Sequence, residues 1–327
     1  MSRDQQAWVQ GLKIGHYTDS VGATGCTVAL YPKGAVCAVD VRGSAPGTRE
    51  TDALSSTSLV EAAHGVLLTG GSAFGLAAAD GVMAYLAERG CGYPTQTCPV
   101  PIVPTAVIFD LAIGESSSRP GRDAGRSACE NAREGGPAEG SVGAGTGATV
   151  AKRLGAGRMV KSGVGYAAER LSNGCILAAL VVVNAVGDVF DYRTGELIAG
   201  PRGDQSGKDD SSNGGATFAA DVSLSTNTTI GIVATDLPLL RWQAQKLAQC
   251  AQDGLALSVR PAHTMFDGDT FFALSTSPAN GSVVSPGFLS ELGWKATTLV
   301  CDAIERGVKL ATGSHGVPAV SEIGSRE

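Results

Sequence analysis

A mixed α/β fold is predicted by three features of the 327-residue sequence. Short β-branched or apolar runs, such as 230–233 and 175–183, have the length and composition of buried strands. Leu240, Ala244, Leu247, Ala251 and Leu255 recur at helical spacing on one face. The composition, 43% hydrophobic and 17% charged, supplies the core such elements need and argues against disorder.

Taken in order, 25–30 and 35–41 read as a hairpin turning at Pro32-Lys33-Gly34. The loop 42–50 that comes next is rich in glycine and proline, with Arg42 and Arg49 expected to face solvent. A strand at 65–69 leads through Gly70-Gly71-Ser72-Ala73-Phe74-Gly75 into a helix over 73–88, with Ser72 as N-cap and Gly90 as terminator. That spacing is not the Gly-x-Ser-x-Gly elbow of esterases, so Ser72 reads as a cap rather than a nucleophile. A strand over 106–111 and a helix over 123–134 come next.

The glycine run 143–152 lacks the Gly-Lys-Ser/Thr ending of a phosphate cradle, and a backbone or substrate approaching closely explains it better. The apolar strand 175–183 is expected at the centre of a sheet, ended by Asn184. From 200 the composition shifts to Gly, Asp, Ser and Asn, which predicts a flexible linker over 200–227. A helix over 239–257, an Asp267-Gly268 hairpin turn entering a strand, a helix over 288–310 and a polar, frayed tail complete the chain.

Net charge is −6 with no basic run, which speaks against nucleic acid and anionic membrane as partners. No apolar segment approaches the length of a membrane span. The N-terminus lacks the apolar core of a signal peptide, and the eight dispersed cysteines contain no C-x-x-C pair; a cytoplasmic protein with reduced cysteines is expected.

The chemistry centres on Thr228. Residues 225–229 are polar and pass directly into the β-branched strand, placing a hydroxyl at the mouth of a rigid element. If the Asn227–Thr228 bond is cut, Thr228 carries a free α-amine beside its hydroxyl. The amine titrates at roughly 7.7–8.0, so nucleophile and base reside in one residue. The plain alternative is a loop followed by a strand. Asp267 and Asp269 share a face if the backbone there is extended. Two carboxylates alone supply no metal shell, so no metal and no cofactor is expected.

In combination, 38–52, Gly70-Gly71-Ser72-Ala73-Phe74-Gly75-Leu76, 143–149, Asn227-Thr228-Thr229-Ile230 and Asp267-Gly268-Asp269-Thr270 resemble the P1 peptidase family. That family holds the L-aminopeptidase/D-esterases, the β-peptidyl aminopeptidases and the nylon-oligomer endohydrolases, and the resemblance spans roughly 11–311. It implies an αββα sandwich of the N-terminal nucleophile hydrolase kind. It also implies one hydrolase domain, 1–327, that cuts itself between Asn227 and Thr228 into pieces 1–227 and 228–327, and a homo-oligomer of such pairs. Carried over by motif, Thr228 is the nucleophile, Lys152 and Asn184 are active-site residues, and Asp267 and Asp269 support the nucleophile. Phe109 stands where the pattern carries an active-site tyrosine, and Phe109 and Ser72 are candidate substrate contacts. Threonine at 228 and the paired aspartates place the chain nearest the nylon-oligomer branch. The resemblance thus implies an amide hydrolase for short linear ω-amino-acid oligomers or small peptides. An aminopeptidase or D-amidase-esterase is the alternative, and a non-catalytic ligand-binding module is the reading of a different class.

Overall fold

The computed structural model describes residues 7–203, 227–278 and 283–323. The linker expected over 200–227 lies outside the described residues except at its two ends. Fourteen strands and five α-helices are described. They run β1 (Lys13–Asp19), β2 (Thr24–Val41), β3 (Thr48–Arg49), β4 (Ala62–Thr69), α1 (Ala78–Ala87), β5 (Thr105–Val107) and α2 (Arg122–Glu130). Next come β6 (Thr149–Val150), β7 (Val160–Lys161), β8 (Val164–Arg170), β9 (Ile176–Val182), β10 (Asp188–Phe190) and β11 (Leu197–Ala199). The last are β12 (Ile230–Thr235), α3 (Arg241–Ser258), β13 (Val259–Arg260), β14 (Thr270–Ser275), α4 (Pro286–Lys309) and α5 (Val320–Ile323).

Nine strands form one sheet in the order β3-β5-β4-β2-β14-β12-β9-β8, with β1 added on β2. Alternation along each strand sends its side chains into different cores. On β9, Leu177, Ala179 and Val181 pack with α3 and α4, while Ile176, Ala178, Leu180 and Val182 enter a middle cluster. That middle cluster also takes Ile14 of β1, Val66 and Leu68 of β4, Ile230 and Ile232 of β12 and Phe272 of β14. The outward residues Cys26, Val28, Leu30 and Leu67 of β2 and β4 are covered by α1 and α2. The layers are therefore helix, sheet, sheet, helix, the αββα sandwich that the resemblance implies, with both sheet layers belonging to one folded-over sheet.

The strand β2 makes that fold-over. The expected hairpin at Pro32-Lys33-Gly34 is instead a single strand of 18 residues with an irregularity. Pairing with β4 shifts register between Leu30 and Ala35, and Gly34 takes φ +84°. A bulge bends and twists a strand without reversing it, and proline is tolerated there because no ladder N–H is required. Residues 24–30 of β2 pair with β1, 26–30 and then Ala35 and Val36 with β4, and 36–41 with β14.

Other expectations are corrected in the same way. Ser72 caps nothing: Gly71 precedes a 3₁₀ stretch, Ser72–Ala77, no side chain bonds its end, and Ser72 itself has φ +53°. The strand expected over 106–111 is shortened to β5, because only its first residues reach β4. The apolar β9 is next to the sheet's β8 edge rather than central; its hydrophobicity reflects cover on both faces. No hairpin forms at Asp267-Gly268, since β14 pairs parallel with β12 and antiparallel with the distant β2. The tail is tied down as far as 323: Ala319 is fully buried and Lys161 N–H donates to Pro318 O at 2.9 Å. Among the described residues no helix is long and apolar enough to cross a membrane, and all eight cysteines are free.

Helices α1 and α2 cross through reciprocal glycines. A Cβ on Gly81 would lie 1.9 Å from Arg122 O, and one on Gly125 would lie 1.9 Å from Ala78 O. Gly81→Ala is therefore expected to destabilise by roughly 1–3 kcal/mol through overpacking, read as a lowered thermal midpoint. Gly287→Ala in α4, where a Cβ meets nothing within 4 Å, is expected to be neutral or stabilising because alanine is the better helix former.

Candidate active site

Thr228 is placed by two parallel strands. Register pairs Ile230 with Thr270, and a parallel bridge just before them pairs Asn227 with Asp267. The residues leading into β12 and β14 therefore lie side by side, Thr228 beside Gly268. Antiparallel pairing of β12 with β9 brings Asn184, which comes just after β9, to the same spot. Thr228 is 4% exposed. Its N–H donates to Asn184 O at 2.8 Å, its hydroxyl donates to the carbonyl of Asn227, and its Oγ1 accepts from Gly268 N–H at 3.1 Å. A Cβ on Gly268 would sit 2.6 Å from Ala45 O and 2.9 Å from Thr228 Oγ1. Only glycine permits that approach, and a backbone donor fixed on the hydroxyl results.

The two carboxylates are held differently. Asp269 Oδ1 accepts Thr229 N–H at 2.8 Å, and Oδ2 accepts His263 N–H at 3.0 Å with His263 Nδ1 at 2.9 Å. Asp267 Oδ2 accepts from the N–H and Oγ1 of Thr264 at 3.1 and 2.5 Å. Its Oδ1 is buried without a hydrogen bond among the described residues. Burial first, and then the negative charge of Asp269, push the Asp267 carboxyl above the usual carboxylate range. Asp267 is thus an acceptor awaiting a cation or a proton.

Lys152 and Asn184 meet beside Thr228. Lys152 Nζ donates to Asn184 Oδ1 at 2.9 Å and to Asn184 O at 3.3 Å, the same carbonyl that receives Thr228 N–H. Burial lowers the Lys152 ammonium to about 7, while the charges of Asp267 and Asp110 pull the other way. Asn184 Oδ1 also accepts Thr149 N–H at 3.1 Å, and its Nδ2 donates to Phe109 O at 3.1 Å. The Asn184 amide is thus engaged on a backbone carbonyl, and the donor already aimed at Thr228 Oγ1 is Gly268 N–H. Phe109 takes part through its backbone. Ser72 stands at the entry to α1, its N–H on Ile108 O at 2.9 Å, and no described hydrogen bond joins it to Thr228.

Three participants carried no motif, and a fourth, Gly268, lies within one but acts through its backbone N–H. Gly268 N–H and His263 act through loop geometry that composition does not reveal. Lys161 is fully buried, with Nζ on the carbonyls of Gly145, Ala148 and Ser162 at 3.3, 3.0 and 2.9 Å. It ties down the glycine loop leading to Thr149 and Lys152; a lysine within the apolar Met159-Val160-Lys161 run was the readable sign. Asp110 is buried on Thr24 Oγ1 and Gly71 N–H, each at 2.7 Å. The glycine loop itself admits backbone: a Cβ on Gly145 would lie 2.5 Å from Val164 N. Among the described residues no three His, Cys, Asp or Glu side chains form a metal-holding group.

A buried hydroxyl beside a carbonyl, with a fixed N–H donor, a low-pKa amine and a carboxylate acceptor, is equipped for acyl transfer. The sequence model described as Peptidase family S58 matches residues 7–320. An uncharacterized aminopeptidase of Mycobacterium leprae is 42% identical over 344 residues, covering 95% of this chain and 91% of that protein. A 6-aminohexanoate-oligomer endohydrolase of Agromyces sp. is 33% identical over 302 residues, covering 90% of this chain and 81% of that protein. The solved L-aminopeptidase D-Ala-esterase/amidase of Ochrobactrum anthropi, described as a variant of the Ntn hydrolase fold, aligns with a TM-score of 0.74. That alignment is 20% identical and covers 97% of this chain and 90% of that one, a likeness of fold. With the family's model covering nearly its whole length and relatives of 42% and 33% identity over most of it, the chain belongs to Peptidase family S58 and is an amide hydrolase.

Proposed function

We propose that the protein is a self-processing amide hydrolase whose nucleophile is Thr228, acting on short linear amides. The observation that carries the reading is the Thr228 hydroxyl on the carbonyl of its own preceding residue, with Gly268 N–H on its oxygen. In the first stage Oγ1 bonds to the Asn227 carbonyl carbon and the C–N bond to Thr228 breaks, the hydroxyl proton passing to the nitrogen. Water then hydrolyses the ester, leaving 1–227 ending in a carboxylate and 228–327 beginning with a free amine.

No α-amine exists before that cut, so another base must serve it. Lys152 is suited to it, because its Nζ and the nitrogen to be released share Asn184 O and its pKa near 7 lets it exchange protons at neutral pH. In turnover the freed amine takes the hydroxyl proton, and Oγ1 attacks a substrate amide. The acyl-enzyme that results is hydrolysed. Asp267, with its open Oδ1, balances the ammonium that forms, and the positive charge of Lys152 favours the neutral amine.

The activities that name two relatives, an aminopeptidase and an oligomer endohydrolase, both support a short linear amide substrate. The reading includes a homo-oligomer of processed pairs, for which the family resemblance speaks, in the cytoplasm, for which the dispersed free cysteines speak. Purified protein assayed with 6-aminohexanoate oligomers, dipeptides and amino-acid amides is expected to hydrolyse at least one class. The 6-aminohexanoate oligomers are the expected preference; cleavage of amino-acid amides alone would place the chain with the aminopeptidases. Hydrolysis of none would overturn the reading.

A further inference from the structure

The geometry around Asp269 gives a role to a side chain outside every motif. Asp269 is held from three directions. Its Oδ2 takes both His263 contacts, its Oδ1 takes Thr229 N–H, and its backbone carbonyl takes the N–H groups of Arg42 and Gly43 at 2.9 and 3.2 Å. His263 reaches Oδ2 with backbone and ring together by adopting φ +55°, a left-handed conformation that costs a non-glycine residue on the order of 1 kcal/mol. The backbone of Asp269 is itself packed closely on that of Gly43, where an added Cβ would lie 2.2 Å from Asp269 N.

We propose that His263 is a positioning residue for the nucleophile: by fixing Asp269 it fixes Thr229, and with Thr229 the aim of the Thr228 hydroxyl at the reacting carbonyl. This deepens the reading of Thr228 as nucleophile and rests on it. A second effect comes from charge. Burial lowers the imidazole pKa, but the hydrogen bond and charge of Asp269, with the backbone of Gln252, outweigh it and hold the ring above its ordinary value, Arg42 opposing. Asp269 is thus committed to His263 and Thr229, and Asp267, with its open Oδ1, is left to answer Lys152 and the amine of Thr228. The two adjacent aspartates thereby take separate tasks, one structural and one facing the chemistry.

The test tracks self-cleavage of the full chain by intact mass, which needs no substrate. His263→Phe is expected to slow the first-order cleavage roughly 10–100-fold, the cost of a small misplacement of reacting atoms. His263→Asn, whose carboxamide can still donate to Oδ2, is expected to stay within about threefold of the parent, since the one positioning bond survives. Rescue by asparagine separates positioning from mere space-filling. Parental cleavage by the phenylalanine variant, or equal slowing of both, would overturn the proposal. Should His263→Phe not fold, His263→Ala assayed with and without imidazole decides it: recovery supports the role, and no recovery removes it. Thr228→Ala run alongside distinguishes the two levels. If that variant still cleaves, the nucleophile reading fails and this one with it; if only the histidine variants behave as the parent, the nucleophile stands and His263 has no part.

Discussion

Thr228→Ala is expected to yield a single uncut chain of 33.0 kDa with no measurable amide hydrolysis. The parent is expected to give two pieces, the smaller beginning at Thr228. The substitution removes the hydroxyl oxygen placed on the Asn227 carbonyl, so both self-cleavage and turnover lose their covalent step. Removing a nucleophile of this kind costs on the order of 10⁶ in rate. Thr228→Ser keeps an oxygen within reach of Gly268 N–H and is expected to cleave, more slowly, because serine lacks the methyl that holds a threonine rotamer. Intact mass and N-terminal sequencing of the small piece check both. A Thr228→Ala protein cut between 227 and 228 would end the proposal.

Lys152→Met is the second large effect. Without its amine the first cleavage lacks its base, and a loss of roughly 10²–10⁴-fold is expected from removal of a general base. In the parent the cleavage rate is expected to rise with pH through about 7, where Lys152 loses its proton. Lys152→Arg, always charged, is expected to stay uncut across that range. The same lysine links stability to pH. Its pKa in the fold is about 7 against 10.5 when exposed. Between those values the unfolded chain binds more protons, so stability rises with pH. The rise is at most about 1.4 kcal/mol per pH unit from this group. Below about 7 the cost of burying the charge is fully present. Denaturant unfolding of the uncleavable Thr228→Ala chain at pH 7 and 9, with and without Lys152→Met, measures the difference. Lys161, also lowered to about 7 by burial, leaves part of the slope behind.

What could be read in the sequence divides along the same lines. Thr228, Asp267 and Asp269 were legible locally, because hydroxyl-rich and acidic residues open two strands of pronounced β pattern. Lys152 and Asn184 were legible only through the resemblance, since their meeting depends on β9 lying against β12. Helix α3 was legible from its periodicity. The bend of β2 was not, because Pro32-Lys33-Gly34 has the same composition in a turn and in a bulge, and the pairing with β14 that decides between them joins distant parts of the chain. Ser72 failed as a cap for a related reason. The carboxylate of Asp110 takes Gly71 N–H and leaves the serine past the helix entry, in a left-handed turn. His263 was invisible because its role comes from a strained backbone, which no residue type announces.

If the chain is cut as proposed, the pairing of β12 with β9 and of β14 with β2 determines how the protein then behaves. Each contact runs over six residue pairs, and each joins a strand of 228–327 to a strand of 1–227. Severing residue 227 from 228 therefore leaves two chains sharing one sheet, locked by ladders and a common interior. Heating such a heterodimer releases partners that must find each other again, so recovery becomes second order in protein and competes with aggregation. The uncut Thr228→Ala chain should regain its structure on cooling independently of dilution, whereas the mature enzyme should regain less as it is diluted. Its endurance would then be set by how slowly it opens.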